Sequence, residues 1–270
     1  MMITDSNNKI IATSRNVEKA EKYDWFAKVK YISYDLNSKE ELNLFEYFDK
    51  PDRVIHLAWD GLPNYNDLIH VEKNLFNNYQ FIKNLVVNGL DDITITGTCF
   101  EYGMINGCLS EDFQTNPSNS YAIAKDSLRK FIEELNKQYN FSYKWIRLFY
   151  MYGEGQSEKS LISILDKAIK NGDQEFNMSG GEQLRDYLFI KKVAEYISRI
   201  SMQNKIHGII NCCSGKPISI RKLVENNLDE KKYKMKLNLG HYTYPSYESM
   251  AFWGDDTKLQ NINKMDYYDL

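Results

Sequence analysis

Short apolar runs alternate with longer amphipathic ones along most of the chain. Lys9-Ile10-Ile11-Ala12-Thr13 predicts a short strand ending at Ser14-Arg15-Asn16, followed by a helix or turn from Glu18 to Phe26. Val29 to Tyr34 alternates with period two before Asp35-Leu36, the pattern of a second strand. Ser38 to Phe48 predicts a helix, with Ser38 as N-cap and Glu41 three residues on in the capping-box arrangement. Pro51-Asp52 breaks the pattern, and Arg53 to Ala58 predicts a buried strand. From Asn66 to Val87, Leu68, Ile69, Leu75, Phe76, Phe81, Ile82 and Leu85 recur at helical spacing. A β-branched run from Asp92 reaches Gly97-Thr98, an amphipathic helix starts near Ser120, and Tyr143 to Phe149 predicts another strand.

Beyond about residue 155 the pattern loosens. Helices are predicted at Ser160–Ile169 and Val193–Ser201, then a strand at Gly208–Cys212 and a helix opening near Ile220. The stretch from Tyr233 is aromatic-rich and irregular, and His241 to Leu259 either closes over a ligand or packs the lobe. Strands alternating with helices, each crossover long enough for a parallel return, argue a doubly wound parallel α/β sheet with a small C-terminal lobe.

Composition narrows the classes. At 43% hydrophobic and 26% charged residues, 270 residues can bury an ordinary core. A formal charge of −3 offers no footprint for nucleic acid or an anionic membrane. No apolar run approaches the roughly 20 residues that span a bilayer, and the first residues lack the build of a signal peptide. Cys99, Cys108, Cys212 and Cys213 show no metal spacing, which predicts reduced thiols in a cytoplasmic protein and no metal centre.

The candidate chemistry sits between Asp92 and Leu135. Tyr121 and Lys125 stand four apart at the start of a helix, which puts a phenol and an ammonium on one face. Thr98 lies at a strand's carboxyl end, where open α/β sheets place ligands. A hydroxyl, a phenol and an ammonium together suit proton transfer to a carbonyl or alcohol.

Several stretches together make the chain resemble the extended short-chain dehydrogenase/reductase superfamily, in its NAD(P)-dependent sugar-nucleotide epimerase/dehydratase branch. They are His56-Leu57-Ala58, Asn74, Thr98 in TGTCFEYG, Tyr121-Ala-Ile-Ala-Lys125, Arg147-Leu-Phe before MYGEGQ, and Arg185-Asp186-Tyr187. The resemblance runs from Lys9 onward and implies a Rossmann-like NAD(P)-binding region at 1–155 and a sugar-nucleotide lobe at 156–270, interleaved with the main sheet. It implies that Tyr121 is the general acid/base, its proton affinity lowered by Lys125, and that Lys125 also binds the nicotinamide ribose. Thr98 would orient the reacting oxygen. Ser14, Arg15, Asp35, Leu36, Leu57, Ala58 and Asn74 would line the cofactor, with Arg15 suiting the 2′-phosphate of NADP over NAD. Tyr150 and Arg185 would face the nucleotide sugar, with Arg185 on its pyrophosphate. A homodimer through the helices bearing Asn74 and Tyr121 is implied as well.

The departures select among activities. Relatives that dehydrate sugars carry Asp-Glu directly after the active-site Thr, where this chain has Cys99-Phe100, so elimination of water is disfavoured. Tyr150 stands where relatives have Asn. Relatives also begin with a strand and a Gly-x-x-Gly-x-x-Gly turn that binds pyrophosphate, whereas the first glycine here is Gly61. That predicts an N-terminally incomplete sheet, with Ile10 paired directly to Val54 if the gap closes. Three readings follow: a reductase of a nucleotide-linked 4-keto-6-deoxyhexose serving surface polysaccharide synthesis, a sugar-nucleotide 4-epimerase, or a truncated, non-catalytic sugar-nucleotide-binding remnant.

Overall fold

A computed structural model describes residues 8–38, 40–244 and 249–265. Its centre is a four-stranded parallel sheet in the order β11 (Gly208–Cys212), β6 (Ser142–Leu148), β4 (Asp92–Thr98) and β3 (Val54–His56). All seven residues of β4 are buried, as a central strand covered on both faces must be. Helices α3 (Leu75–Val87) and α4 (Ser120–Gln138) cover one face, where Ile82, Leu85, Ile93, Ile95, Leu128 and Trp145 form the main core. Helices α6 (Ile190–Met202) and α8 (Thr257–Asn263) cover the other, around Ile146, Ile200, Ile210 and Leu259. The sheet is thus wound on both faces, as the alternation of runs predicts. Because β11 lies next to β6, the later half of the chain completes the sheet.

The first two strands stand apart. β1 (Ile11–Ser14) and β2 (Lys30–Ser33) pair with each other in parallel and with no other strand among the described residues. The pairing of Ile10 with Val54 does not form: among the described residues β3 pairs only with β4. Packing explains what holds the β1–β2 pair instead. Tyr34, just past β2, lies 5.8 Å edge-on to Phe48 and 5.8 Å from Phe81 on α3, so the pair leans on the helical layer rather than on a neighbouring strand. Arg15 past β1 and Asp60 past β3 meet in a two-bond ion pair at 2.6 and 3.0 Å.

The helix expected at Ser38–Phe48 is corrected. Only α2 (Leu44–Tyr47) is helical, and its cap is Asn43, whose side chain accepts from Glu46 N at 3.1 Å. Ser38 instead accepts from Glu40 N in a local turn, so the Ser-x-x-Glu spacing served a competing side-chain bond rather than a helix start. The helical pattern from Asn66 likewise settles late, as a wide turn at His70–Asn74 that runs into α3.

The lobe is made of short pairs: β5 (Gly107–Leu109) with β14 (Phe252–Gly254), β7 (Tyr150–Tyr152) with β10 (Tyr187–Phe189), β8 (Glu175–Asn177) with β13 (Lys236–Asn238), and β9 (Leu184–Arg185) with β12 (Ile218–Ser219). Helices α5 (Leu161–Asn171) and α7 (Ile220–Glu230) enclose its own small core around Leu165, Phe176 and Val224. Within the aromatic stretch 241–259, residues 245–248 lie outside the described residues, His241 N donates to Met178 O, Phe252–Gly254 pairs with β5, and Thr257 begins α8.

Candidate active site

Three polar side chains converge where β4 ends. Thr98 closes the strand and opens a tight helical turn at Cys99–Tyr102; its hydroxyl accepts from Phe100 N at 3.3 Å. The side chain of Glu101 returns to Thr98 N at 2.9 Å, completing a capping box. Asn119 caps α4 by accepting from Ala122 N at 2.9 Å, which places Tyr121 in the first turn and Lys125 one turn later on the same face. The loop after β3 holds this helix start: Tyr121 N donates to Tyr65 O at 2.9 Å and Ser120 Oγ to Asn66 O at 3.3 Å.

Aromatic rings wall in the phenol. Tyr65, His70 and Trp59 lie 5.6, 5.4 and 5.9 Å from the Tyr121 ring, centroid to centroid. Burial and the negative charge of Glu101 push the phenol above its ordinary value, while a hydrogen bond with Thr98 pulls the other way. The lowering by Lys125 expected from the sequence is therefore not the controlling influence. Lys125 Nζ is directed to Thr96 O at 2.7 Å and lies 4.0 Å from the centre of the Trp59 ring. Burial lowers the lysine to about 7, with Glu101 opposing.

The residues beside this centre are apolar or inert. Cys99 is buried in a cluster with Tyr102, Phe149, Cys213 and Phe252, and burial pushes its thiol up. A neutral, packed thiol is a poor acid/base. No carboxylate follows Thr98 directly; Glu101 faces inward onto Trp145 and Arg147. Among the described residues no group of His, Cys, Asp and Glu is placed to hold a metal ion.

The other predicted residues fall into two groups. On the lobe side, Arg185 is buried, with its guanidinium 4.6 Å from the Phe252 ring and 5.9 Å from Tyr150, and with Nη1 donating to Leu184 O at 2.9 Å. On the β1–β3 side, Ser14 Oγ meets Tyr31 at 2.7 Å and Asp35 accepts twice from Asn37. Leu36 is half-buried, while Leu57 and Ala58 are exposed just past β3. Asn74 is buried and donates to Asp60 O at 2.9 Å, bracing the loop that carries Arg15's partner. A nicotinamide cofactor fits this set at its reacting end, where a buried lysine and phenol adjoin the exposed residues past β3. At the pyrophosphate end the described residues supply no glycine turn.

Two residues the sequence reading passed over belong to the centre. Trp59 directly follows the strand-end residues His56-Leu57-Ala58, and no periodicity marks it. Glu101 stands three residues after Thr98, the capping-box spacing, so its signal was present.

Comparison with known proteins agrees with this geometry. The model of the NAD dependent epimerase/dehydratase family matches residues 3–213. A dTDP-6-deoxy-L-talose 4-dehydrogenase (NAD(+)) from Aggregatibacter actinomycetemcomitans is 33% identical over 202 residues, 74% of each chain. A dTDP-4-dehydro-6-deoxyglucose reductase from Escherichia coli is 29% identical over 222 residues, 77% of this chain and 67% of that protein. In fold, the chain is similar to a UDP-N-acetylglucosamine 4-epimerase from Methanobrevibacter ruminantium solved with UDP-N-acetylmuramic acid, with a TM-score of 0.83 at 22% identity over 97% of this chain and 86% of that one. With the sheet wound on both faces and Thr98, Tyr121 and Lys125 gathered at the end of β4, the match places the chain in the NAD-dependent epimerase/dehydratase family.

Proposed function

We propose that the chain reduces the C4 ketone of a nucleotide-linked 4-keto-6-deoxyhexose with NAD(P)H. The observation that carries this reading is the Tyr121 phenol, held above its ordinary value beside Thr98, with no carboxylate directly after Thr98. A phenol that keeps its proton at neutral pH is set to donate to a carbonyl oxygen, which is the reductive direction. Cys99 in place of a carboxylate leaves the site without a pair for eliminating water. Two relatives named for oxidation or reduction at C4 of dTDP-6-deoxy sugars support the same substrate class.

A nicotinamide cofactor, when bound, would supply the hydride. Tyr121 gives its proton to the C4 oxygen, Thr98 orients that oxygen, and Lys125, beside Trp59, would hold the ribose end of the cofactor. Leu57, Ala58, Asp35 and Leu36 would line the remaining path toward the adenine. Arg15 reaches a 2′-phosphate only by leaving Asp60, whose carboxyl it holds below the ordinary range, so the preference between NADP and NAD is read by assaying both. On the sugar side, Tyr150 and Arg185 are the proposed contacts, and exposed Phe76, Val87, Ile123 and Phe131 on α3 and α4 support a homodimer through those helices.

The test is purified protein with a dTDP-4-keto-6-deoxyhexose and NADH or NADPH, following nicotinamide absorbance and sugar products together. One cofactor oxidised per sugar reduced is the expected result. Epimer formation without net cofactor consumption would make the chain a 4-epimerase, and calorimetric sugar-nucleotide binding without cofactor binding would make it a non-catalytic binder.

A further inference from the structure

Beneath the centre lies a charged cluster that the proposed chemistry does not use. Glu101 is completely buried. Its Oε1 accepts from Thr98 N at 2.9 Å and from Trp145 Nε1 at 3.0 Å. Its Oε2 accepts from Arg147 Nε at 2.8 Å, and Arg129 Nε lies 3.9 Å away. All of these partners are N–H donors. Burial pushes the Glu101 carboxyl up, and Arg147, Thr98 N and Trp145 oppose it; because a protonated acid would need an acceptor for its own hydrogen and every partner here is a donor, the geometry favours the ionised carboxylate.

We infer that Glu101 is a positioning residue for the reacting set: clamped by Arg147 and Trp145, it fixes the turn that begins at Thr98 and keeps a negative charge under Tyr121 and Lys125. The inference rests on the reading of Thr98, Tyr121 and Lys125 as the reacting residues.

Three observations carry it. The clamp joins three elements that must keep register for the chemistry: the end of β4, the β6 residues Trp145 and Arg147, and Arg129 on α4, four residues past Lys125. Space has been made for it: a β-carbon on Gly97 would collide with Trp145 Nε1 and Glu101 Oε1, so the glycine before Thr98 is the residue that admits the carboxylate. Electrostatics agrees, because Glu101 raises the proton affinity of both Tyr121 and Lys125.

The other titratable groups around the pair are His56 on β3, Tyr65 and His70 on the loop, Cys99 on the turn, Arg147 on β6, and Asp126 and Arg129 on α4. Asp126 is committed to Arg129 and Lys130. Among the described residues, Glu101 is the carboxylate that acts on both members of the pair. It holds Lys125 charged to higher pH than burial alone would allow, and adds to burial in keeping Tyr121 protonated.

The test is Glu101→Gln in the full chain, which keeps the shape and removes the charge. Lysine labelled with carbon-13 at Cε gives a titration for Lys125 by NMR, with its signal assigned by its loss in Lys125→Met. The midpoint, about 7 in the parent, is expected to fall by about 1 pH unit. The pH limb of NAD(P)H oxidation governed by Lys125 should move the same way, and kcat should fall about tenfold or more with little change in the sugar KM. A midpoint that stays put or rises while kcat falls overturns the inference and leaves Glu101 a packing residue. If Glu101→Gln alone does not fold because Arg147 is left bare, Glu101→Gln/Arg147→Gln answers the same question, with a smaller downward shift expected because the Arg147 charge is lost as well. The titration needs no substrate, so a parent protein inactive on 4-keto sugars would sink the proposed function while the Lys125 shift still decided the role of Glu101.

Discussion

Lys125 should cost the fold stability at neutral pH, and replacing it should show how much. The ammonium is buried, with Thr96 O at 2.7 Å as its hydrogen-bond acceptor and the Trp59 face at 4.0 Å. Burial lowers it from an ordinary 10.5 to about 7. The unfolded chain therefore holds a proton on this residue up to about pH 10.5 that the folded chain releases near 7. Between those limits the unfolded state binds more protons, so stability rises with pH by about 1.4 kcal/mol per unit. The penalty is fully present below pH 7 and gone above about 10.5. At pH 7 it amounts to about 4 kcal/mol as an order of magnitude.

Lys125→Met keeps the apolar stem and removes the titrating group. It also leaves Thr96 O without its donor, at a cost of about 1–3 kcal/mol. The variant is therefore expected to be about 1–3 kcal/mol more stable than the parent at pH 7, and catalytically dead. That advantage should shrink and reverse as pH rises toward 10. Urea unfolding of both proteins across this range at constant ionic strength gives the difference directly, because thiols and phenols common to both cancel. A difference that does not change between about pH 7.5 and 9.5 would refute the reasoning, since it would mean the buried ammonium carries no desolvation penalty.

Two stability predictions concern the sheet. Asp92→Asn should destabilise the protein by about 3–5 kcal/mol in denaturant melts, because Lys144 is completely buried and both Asp92 oxygens accept from its ammonium at 2.7 Å; a loss below about 1 kcal/mol would show that the pair is solvated. Gly97→Ala should cost about 2–4 kcal/mol through overpacking against Trp145 and a displaced Glu101, and kcat should fall alongside; an unchanged melt with full activity would mean that the strand end yields freely.

The main architecture was legible because it is written in periodicity. β4 is a β-branched run, β6 and β11 carry Trp145, Ile146, Ile209 and Ile210 between polar residues, and α4 carries Leu128, Ile132 and Leu135 on its buried face. Tyr121 and Lys125 were legible for the same reason, since helical spacing alone puts them on one face. Local chemistry misled at Ser38, where a Ser-x-x-Glu pattern reads identically whether the hydroxyl caps a helix or closes a short turn. Only the packing of Leu44 and Phe48 against α3 settles that the helix starts at Asn43. Arg15 shows another limit. Its ion-pair partner Asp60 is 45 residues away in sequence, out of reach of a reading that places Arg15 by its position at the end of β1.

Glu101 marks where the two kinds of information meet. Its spacing from Thr98 is a local signal, readable as a cap, yet a cap on an exposed turn would be worth only about 1 kcal/mol. Complete burial changes its meaning. A carboxylate there is tolerable only if charged donors from distant segments surround it, and Trp145 and Arg147 lie 44 and 46 residues away. Those same strand residues look, in sequence, like misplaced polar groups in an apolar run. Each is explicable only through the others: Arg147 needs Glu101, Glu101 needs the space left by Gly97, and Thr98 takes its orientation from the turn they hold. The Thr98 hydroxyl, beside the Tyr121 phenol, is therefore placed by a buried charge network whose members, taken one at a time along the chain, read as exceptions to the pattern of the fold.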